Sequence, residues 1–178
     1  WISRREGERR PAAVRAMVLY PMNALVEDQM ARLRKTLDSD DAREVMEQRF
    51  AGNKIFFGQY TSATPITGYS NHPRLSGISS EKSRRARNLE KLRKTLKRID
   101  SDQQAARAFD EKVNASEKTR YIFPSTDGGE MMSRWDMQAA PPDVLVTNAS
   151  MLGAMLSREV EDGIFDATRE WLMNNNDA

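Results

Sequence analysis

The sequence contains no cysteine and only one histidine, His72, among its 178 residues. The absence of cysteine excludes disulfides, thiolate metal sites and thiol nucleophiles, and it fits a reducing compartment such as the cytoplasm. A single histidine excludes metal sites that are built from several histidines. No stretch approaches the ~20 consecutive apolar residues that a membrane-spanning helix needs. We therefore expect a cytoplasmic protein that has no membrane partner.

Aromatic residues are also few, at 7% of the chain, whereas charged residues make up 30% and hydrophobic residues 39%. The length suits about one domain with a single core. The mean hydropathy of −0.72 is low for such a domain. Part of the chain should therefore be a charged, solvated excursion from the core.

The net charge of +2 conceals a strong segregation of charge along the chain. Residues 1–20 hold five arginines, residues 81–98 hold nine Lys or Arg, and residues 159–178 hold six carboxylates against Arg169. This asymmetry indicates a polyanion on one face. Plain solvation of exposed helices is the alternative interpretation.

Hydrophobic periodicity predicts strands that alternate with helices. Three short apolar runs have the character of buried parallel strands, at residues 13–20, 54–60 and 143–146. Helical spacing of apolar residues is found at residues 23–37, 41–50, 131–138, 150–156 and 162–172. Strands separated by helices predict a parallel, doubly wound α/β sheet.

The middle of the chain is the predicted charged excursion. A loop rich in Gly, Pro, Ser and Thr covers residues 61–80, and a basic helix with leucines at 3–4 spacing follows over 81–98. Seven of its cations are possible duplex DNA contacts, with a solvated face as the alternative: Lys82, Arg84, Arg85, Arg87, Arg93, Lys94 and Lys97. A second polar helix is predicted over 103–113. We thus expect three segments, 1–65, an inserted 66–130, and 131–178.

Three junctions share one design, in which a buried strand runs into a polar turn. They are the segments 19–29, 57–65 and 144–152. In open parallel sheets, ligands bind at the carboxyl ends of the strands, and a helix that starts there offers free N–H groups to a phosphate. Three such turns on one sheet could follow a nucleic-acid backbone, although a Ser, Thr or Asn at a single junction is more often a helix cap.

These junctions resemble motifs of superfamily 2 helicases of the DEAD/DEAH-box kind. The string YPMNALVEDQMARLRKTL (20–37) looks like motif Ia, FGQYTSATP (57–65) like motif Ib, and PPDVLVTNASML (141–152) like motif Ic. SRWDMQ (133–138) is similar to a string in large bacterial helicases of this group. The nearest resemblance is to bacterial defence-associated helicases, such as the helicase subunit of DISARM-type anti-phage systems, followed by Lhr-like helicases.

The resemblance implies a partial RecA-like lobe, the first motor lobe of an ATP-driven DNA translocase. In this family the three motifs grip the phosphate backbone of one nucleic-acid strand. The residues that match by position are Pro21, Met22, Asn23 and Gln29 in Ia, Gly58, Thr61 and Thr64 in Ib, and Thr147, Asn148 and Ser150 in Ic. The implied partners are DNA, as a single strand or duplex junction, the remainder of the helicase chain and other defence subunits.

The sequence lacks both motifs that hydrolyse ATP. It has no G-x-x-x-x-G-K-[ST] loop and no D-E-x-H or D-E-A-D box. The resemblance implies that ATP and Mg²⁺ bind in parts of a parent protein before Trp1 and after Ala178. We expect a fragment that does not hydrolyse ATP by itself and has no catalytic or metal-binding residue of its own. The alternative hypothesis is a non-hydrolysing α/β module that binds DNA or a partner protein.

Overall fold

The three predicted strands pair into one parallel sheet in the computed structural model, which describes residues 11–21, 23–113 and 118–175. The strands are β1 (Ala16–Tyr20), β2 (Phe57–Tyr60) and β3 (Val144–Asn148). β3 lies between the other two, and its first residue, Val144, is level with Ala16 of β1 and Phe57 of β2. The three strands therefore end at the same edge, and the predicted parallel α/β fold is confirmed.

Helices flank the sheet and begin close to the predicted positions. Those of the described ranges are α1 (Asn23–Leu37), α2 (Asp40–Phe50), α3 (Ser79–Val113), α4 (Arg134–Ala139), α5 (Ala149–Leu156) and α6 (Asp162–Asn174), with short 3-10 helices at Thr119–Ile122 and Glu159–Glu161. Side-chain caps set several starts. Ser39 caps α2, and Ser133 forms a capping box with Asp136 at the start of α4.

The core lies on both faces of the sheet because successive residues of β3 point to opposite sides. Leu145 packs with apolar residues of α4, α5 and α6, among them Met137, Met155 and Ile164. Val146 faces the other way, towards Val26 and Met30 of α1. Burial on both faces explains why β3 is a continuous apolar run rather than an alternating one. β1 is an edge strand, and its Met17 and Leu19 are exposed.

One long helix replaces the two that the sequence predicted between residues 81 and 113. α3 runs unbroken over 35 residues, so the predicted break before residue 103 is wrong. The segment contains no Gly or Pro that would end a helix. Ile99, Gln103, Ala106 and Asp110, spaced 4-3-4, are all buried and continue one stripe through the predicted break. The division of the chain into three segments stays a prediction.

Two buried ion pairs tie distant parts of the chain together. Arg34 of α1 makes a bidentate pair with Glu130, with N···O distances of 2.7 and 2.8 Å. Arg15 pairs with Asp143 at the amino ends of β1 and β3.

Within the described residues, no helix combines the length and apolar character that a membrane crossing requires.

Candidate nucleic-acid interface

The three strand-end turns meet at one edge of the sheet. Tyr20 pairs with Asn148, and Tyr60 pairs with Thr147, so the residues after them lie side by side. There they line an open depression of about 350 Å³, formed by Pro21, Ser62, Asn148, Ser150 and Met151. Each of the three junctions contributes at least one residue to it. The junction of β3 lies in the middle because β3 is the central strand.

The junction after β3 supplies the most complete part of this depression. Asn148 is the N-cap of α5, and its Oδ1 accepts a hydrogen bond from the Met151 N–H at 2.7 Å. Ser150 is exposed in the first turn of that helix. A helix N-terminus favours anions because its first N–H groups lack partners within the helix. Asn148 and Ser150 are therefore placed where a phosphate would be stabilised.

Thr147, in contrast, faces the interior of the sheet. It is fully buried, and its hydroxyl donates to the Tyr60 carbonyl at 2.6 Å. This bond fastens the end of β3 to the end of β2. The Thr147 side chain is thus engaged in holding the edge together, and Asn148 is the first residue of this motif that reaches the depression.

The turn after β2 is closed by its own threonines. Thr64 Oγ1 donates to the Gln59 carbonyl at 2.7 Å and accepts from the Thr61 N–H at 2.9 Å. The Arg134 guanidinium donates to the Thr61 carbonyl at 2.8 Å. Both threonines are buried. Their side chains shape the turn, and the exposed residue that they present at the depression is Ser62.

Gly58 lies inside the fold rather than at the depression. A Cβ atom there would lie 2.9 Å from Met137 Sδ and 3.3 Å from the carbonyl oxygen of Met131. Because Met131 and Met137 lie this close to β2, position 58 requires a residue without a side chain. The structure therefore gives Gly58 a packing role.

The junction after β1 is described only in part. Pro21 is exposed at the depression, and Gln29 of α1 accepts a hydrogen bond from the Tyr20 hydroxyl at 2.9 Å. This bond fixes α1 against the end of β1. Met22 and the side chain of Asn23 lie outside the described residues, so their predicted contacts stay predictions.

A buried network of polar side chains holds Tyr60, the last residue of β2, at the edge of the sheet next to the depression. The Tyr60 hydroxyl donates to Glu161 Oε1 at 2.7 Å and accepts from Gln138 at 3.2 Å. Arg158 completes the network with a 2.7 Å bond to the same carboxylate oxygen. Burial, followed by the hydrogen bond to Glu161, raises the pKa of Tyr60 well above its usual value. Tyr60 therefore stays neutral, and it anchors the end of β2.

Ser62 and Met151 are lining residues that the motif comparison did not select. The signal for Ser62 is its position in a hydroxyl-rich turn between two buried threonines. All five lining residues are uncharged. Such a surface suits hydrogen bonds and apolar contacts to a nucleic-acid strand, with little release of counterions.

The chain is similar to a bacterial protein over most of its own length. No protein-family model matches it, and no solved structure matches it. It is 34% identical over 182 aligned residues to Druantia protein DruE of Escherichia coli (strain UMEA 4076-1). The match covers 89% of this chain and 10% of that protein. The chain thus spans about a tenth of the length of the curated relative it matches.

Proposed function

We propose that the chain is part of an ATP-dependent DNA helicase or translocase of superfamily 2 and grips one strand of its substrate. The observation that carries this proposal is the depression to which all three strand-end turns contribute. The half-buried Asn148 and the exposed Ser150 lie at a helix N-terminus, where a backbone phosphate is favoured. The resemblance of the same turns to motifs Ia, Ib and Ic supports a strand-gripping role.

The similarity to a Druantia protein supports a role in phage defence. We propose that the chain acts in the cytoplasm, which its lack of cysteine fits. Because the chain corresponds to about a tenth of that relative, its action depends on other regions. We propose as partners DNA, the remainder of the helicase chain and further subunits of a defence system.

ATP and Mg²⁺ do not fit the residues of this chain. The sequence has no phosphate-binding loop, and the described residues contain no group of three or more His, Asp or Glu that could hold a metal. We therefore assign both to other regions of the parent protein. What this chain contributes is the contact that couples such a motor to DNA.

Asn148→Asp in the full-length protein tests this assignment. Aspartate caps a helix as well as asparagine does, so α5 should be preserved, but the new carboxylate would repel a phosphate at the depression. We expect the single-stranded DNA concentration that gives half-maximal ATPase stimulation to rise about tenfold, which corresponds to about 1.4 kcal/mol. The measurement is a titration of ATPase rate against DNA.

Asn148→Ser is the matched control because serine also caps a helix and adds no charge. It should shift the half-maximal DNA concentration far less than Asn148→Asp. Equal titrations for both variants and the unaltered protein would leave Asn148 as a cap alone. A full-length protein with no ATPase activity would favour the alternative, a module that binds DNA or a protein partner without hydrolysis.

A further inference from the structure

The amino-terminal half of α3 exposes a row of cations that the strand-gripping edge does not use. Arg87, Lys91, Lys94 and Arg98 are spaced 4-3-4, which places them on one face of the helix, and all four are exposed. We call these four residues the basic stripe. Glu90 pairs weakly with Lys94 at 3.8 Å, and both side chains are largely exposed. The stripe therefore keeps almost its full positive charge.

Neighbouring arginines are occupied in fixing this half of the helix. Arg84 pairs with Glu81 and donates to the Tyr69 carbonyl at 2.7 Å, while Arg85 donates to the Ser70 carbonyl at 2.8 Å. These bonds hold the start of α3 against the preceding loop. Arg84 and Arg85 are among the predicted duplex contacts, but in the structure their guanidinium groups bind backbone carbonyls of the preceding loop.

The other half of the helix is anchored separately. Gln103 donates to the carbonyls of Arg120 and Phe123, at 3.3 Å each, and Asp110 accepts from the Thr119 N–H at 2.8 Å. Because both halves are held by hydrogen bonds, α3 presents the basic stripe on a fixed rod. Four cations in fixed positions lose less conformational freedom on binding a polyanion than four on a flexible loop.

We propose that the basic stripe binds the phosphates of duplex DNA, as a second contact separate from the sheet edge. From Arg87 to Arg98 the helix rises roughly 16 Å, at about 1.5 Å per residue. That length exceeds the ~12 Å width of the B-form major groove, so the stripe can reach phosphates on both strands when the helix lies across the groove. The choice of DNA rests on the proposed function.

A duplex fits this face better than a single strand. Sites for single strands combine cations with aromatic side chains on which bases stack. The sequence has no aromatic residue between 79 and 108. A row of cations without a stacking surface recognises backbone phosphates alone. The sheet edge thus offers uncharged contacts to a single strand, and the basic stripe on α3 offers cationic contacts to a duplex.

The test changes all four residues of the basic stripe to glutamine in the full chain. Duplex DNA of 20 base pairs is titrated by fluorescence anisotropy at several salt concentrations. Each phosphate contact to B-form DNA contributes about 0.9 to the slope of log affinity against log salt, so we expect the slope to fall by about 3 to 4. Glutamine preserves helix propensity, and circular dichroism checks that α3 persists.

The matched control removes four exposed cations elsewhere, Arg32, Arg49, Arg74 and Lys112, by the same substitution. Net charge then changes equally, and this control should keep most of the slope. Equal slopes in the two variants would reduce the effect to overall charge and overturn the proposal. An unchanged slope in the stripe variant would overturn it as well.

The Asn148→Asp variant separates this proposal from the function on which it rests. It should weaken single-stranded DNA binding and leave the salt slope for duplex DNA unaltered. If the stripe variant lowers the slope while Asn148→Asp has no effect on either substrate, the stripe proposal stands and the sheet-edge function fails. The reverse pattern removes the stripe proposal alone.

Discussion

Replacing Arg34 by alanine should lower the free energy of unfolding by about 3–5 kcal/mol, because it leaves the buried carboxylate of Glu130 without its partner. The side chains of Arg34 and Glu130 are only 6% and 4% exposed. Arg34 also donates to the Ile122 carbonyl at 2.8 Å, so one residue links α1 to two separate parts of the chain. Urea unfolding followed by circular dichroism measures the change.

The loss should depend on pH in a defined direction. Burial already raises the pKa of Glu130, and the attraction of Arg34 only partly offsets it. Without Arg34 that pKa rises further. The cost of the charged carboxylate is then present at neutral pH, and it shrinks as acidification protonates Glu130 in the folded state. The deficit of Arg34→Ala should therefore be smaller at pH 5 than at pH 8.

Arg32→Ala is the matched control, one turn away on the same helix. Arg32 pairs with Asp28 at 2.9 Å, but both side chains are more than half exposed. Exposed pairs contribute about 0–1 kcal/mol, so this variant should unfold almost like the unaltered chain. Similar losses for Arg32→Ala and Arg34→Ala would show that the Glu130 pair is not a structural link.

The second large effect is expected at the opposite end of the sheet from the depression. Asp143 is 2% exposed, pairs with Arg15, and accepts from the Phe56 N–H at 2.9 Å. One carboxylate thus joins the segments that lead into all three strands. Asp143→Ala leaves Arg15 and that N–H without their acceptor, and it should cost about 3–5 kcal/mol of unfolding free energy.

Asp166→Ala provides the comparison for Asp143. Asp166 pairs with Arg169 on the surface of α6, where both side chains are at least 60% exposed. Its removal should cost less than about 1 kcal/mol. Thermal unfolding of the two variants, side by side with the unaltered chain, measures the difference. Equal melting temperatures for both variants would contradict the role given to Asp143.

The sequence pattern predicted the sheet well because all three strands are short apolar runs, although only β2 and β3 are largely buried and the edge strand β1 exposes Met17 and Leu19. The runs around Val18, Phe57 and Leu145 are apolar, and polar residues that end them mark where helices begin. Asn148 marks one such position, and Pro21 ends the run of β1 because it cannot donate to the sheet. Strand order was not predictable in this way. That β3 lies between β1 and β2 follows from tertiary packing, and periodicity within one segment carries no information on it.

The sequence predicted where the site lies, at the three strand-end turns. It predicted less well which residues of those turns reach the depression. The sequence shows a threonine at a strand end, but it does not show whether the hydroxyl faces a ligand or a neighbouring carbonyl. The hydroxyl of Thr147 donates to a carbonyl of β2, and that of Thr64 closes a turn. Ser62 reaches the depression although the resemblance to motif Ib did not select it. Such differences depend on side-chain direction, which a motif does not encode.

The long helix shows a similar limit. The polar run after Ile99 looks like a linker in sequence because Asp and Ser favour turns. In the fold, Gln103 and Asp110 find backbone partners in the segment that follows the helix. Those tertiary bonds keep the helix continuous where local preference would allow it to end.

Photo-crosslinking is the most direct test of the claim that the sheet edge grips a nucleic-acid strand. The chain has no cysteine, so Ser150→Cys introduces a single attachment point for a thiol-reactive photoprobe. Ser157→Cys is the control, because Ser157 is the C-cap residue at the far end of the same helix and is also exposed. We predict that the probe at position 150 labels single-stranded DNA and that the probe at position 157 does not. Equal labelling from both positions, or labelling from 157 alone, would contradict the account.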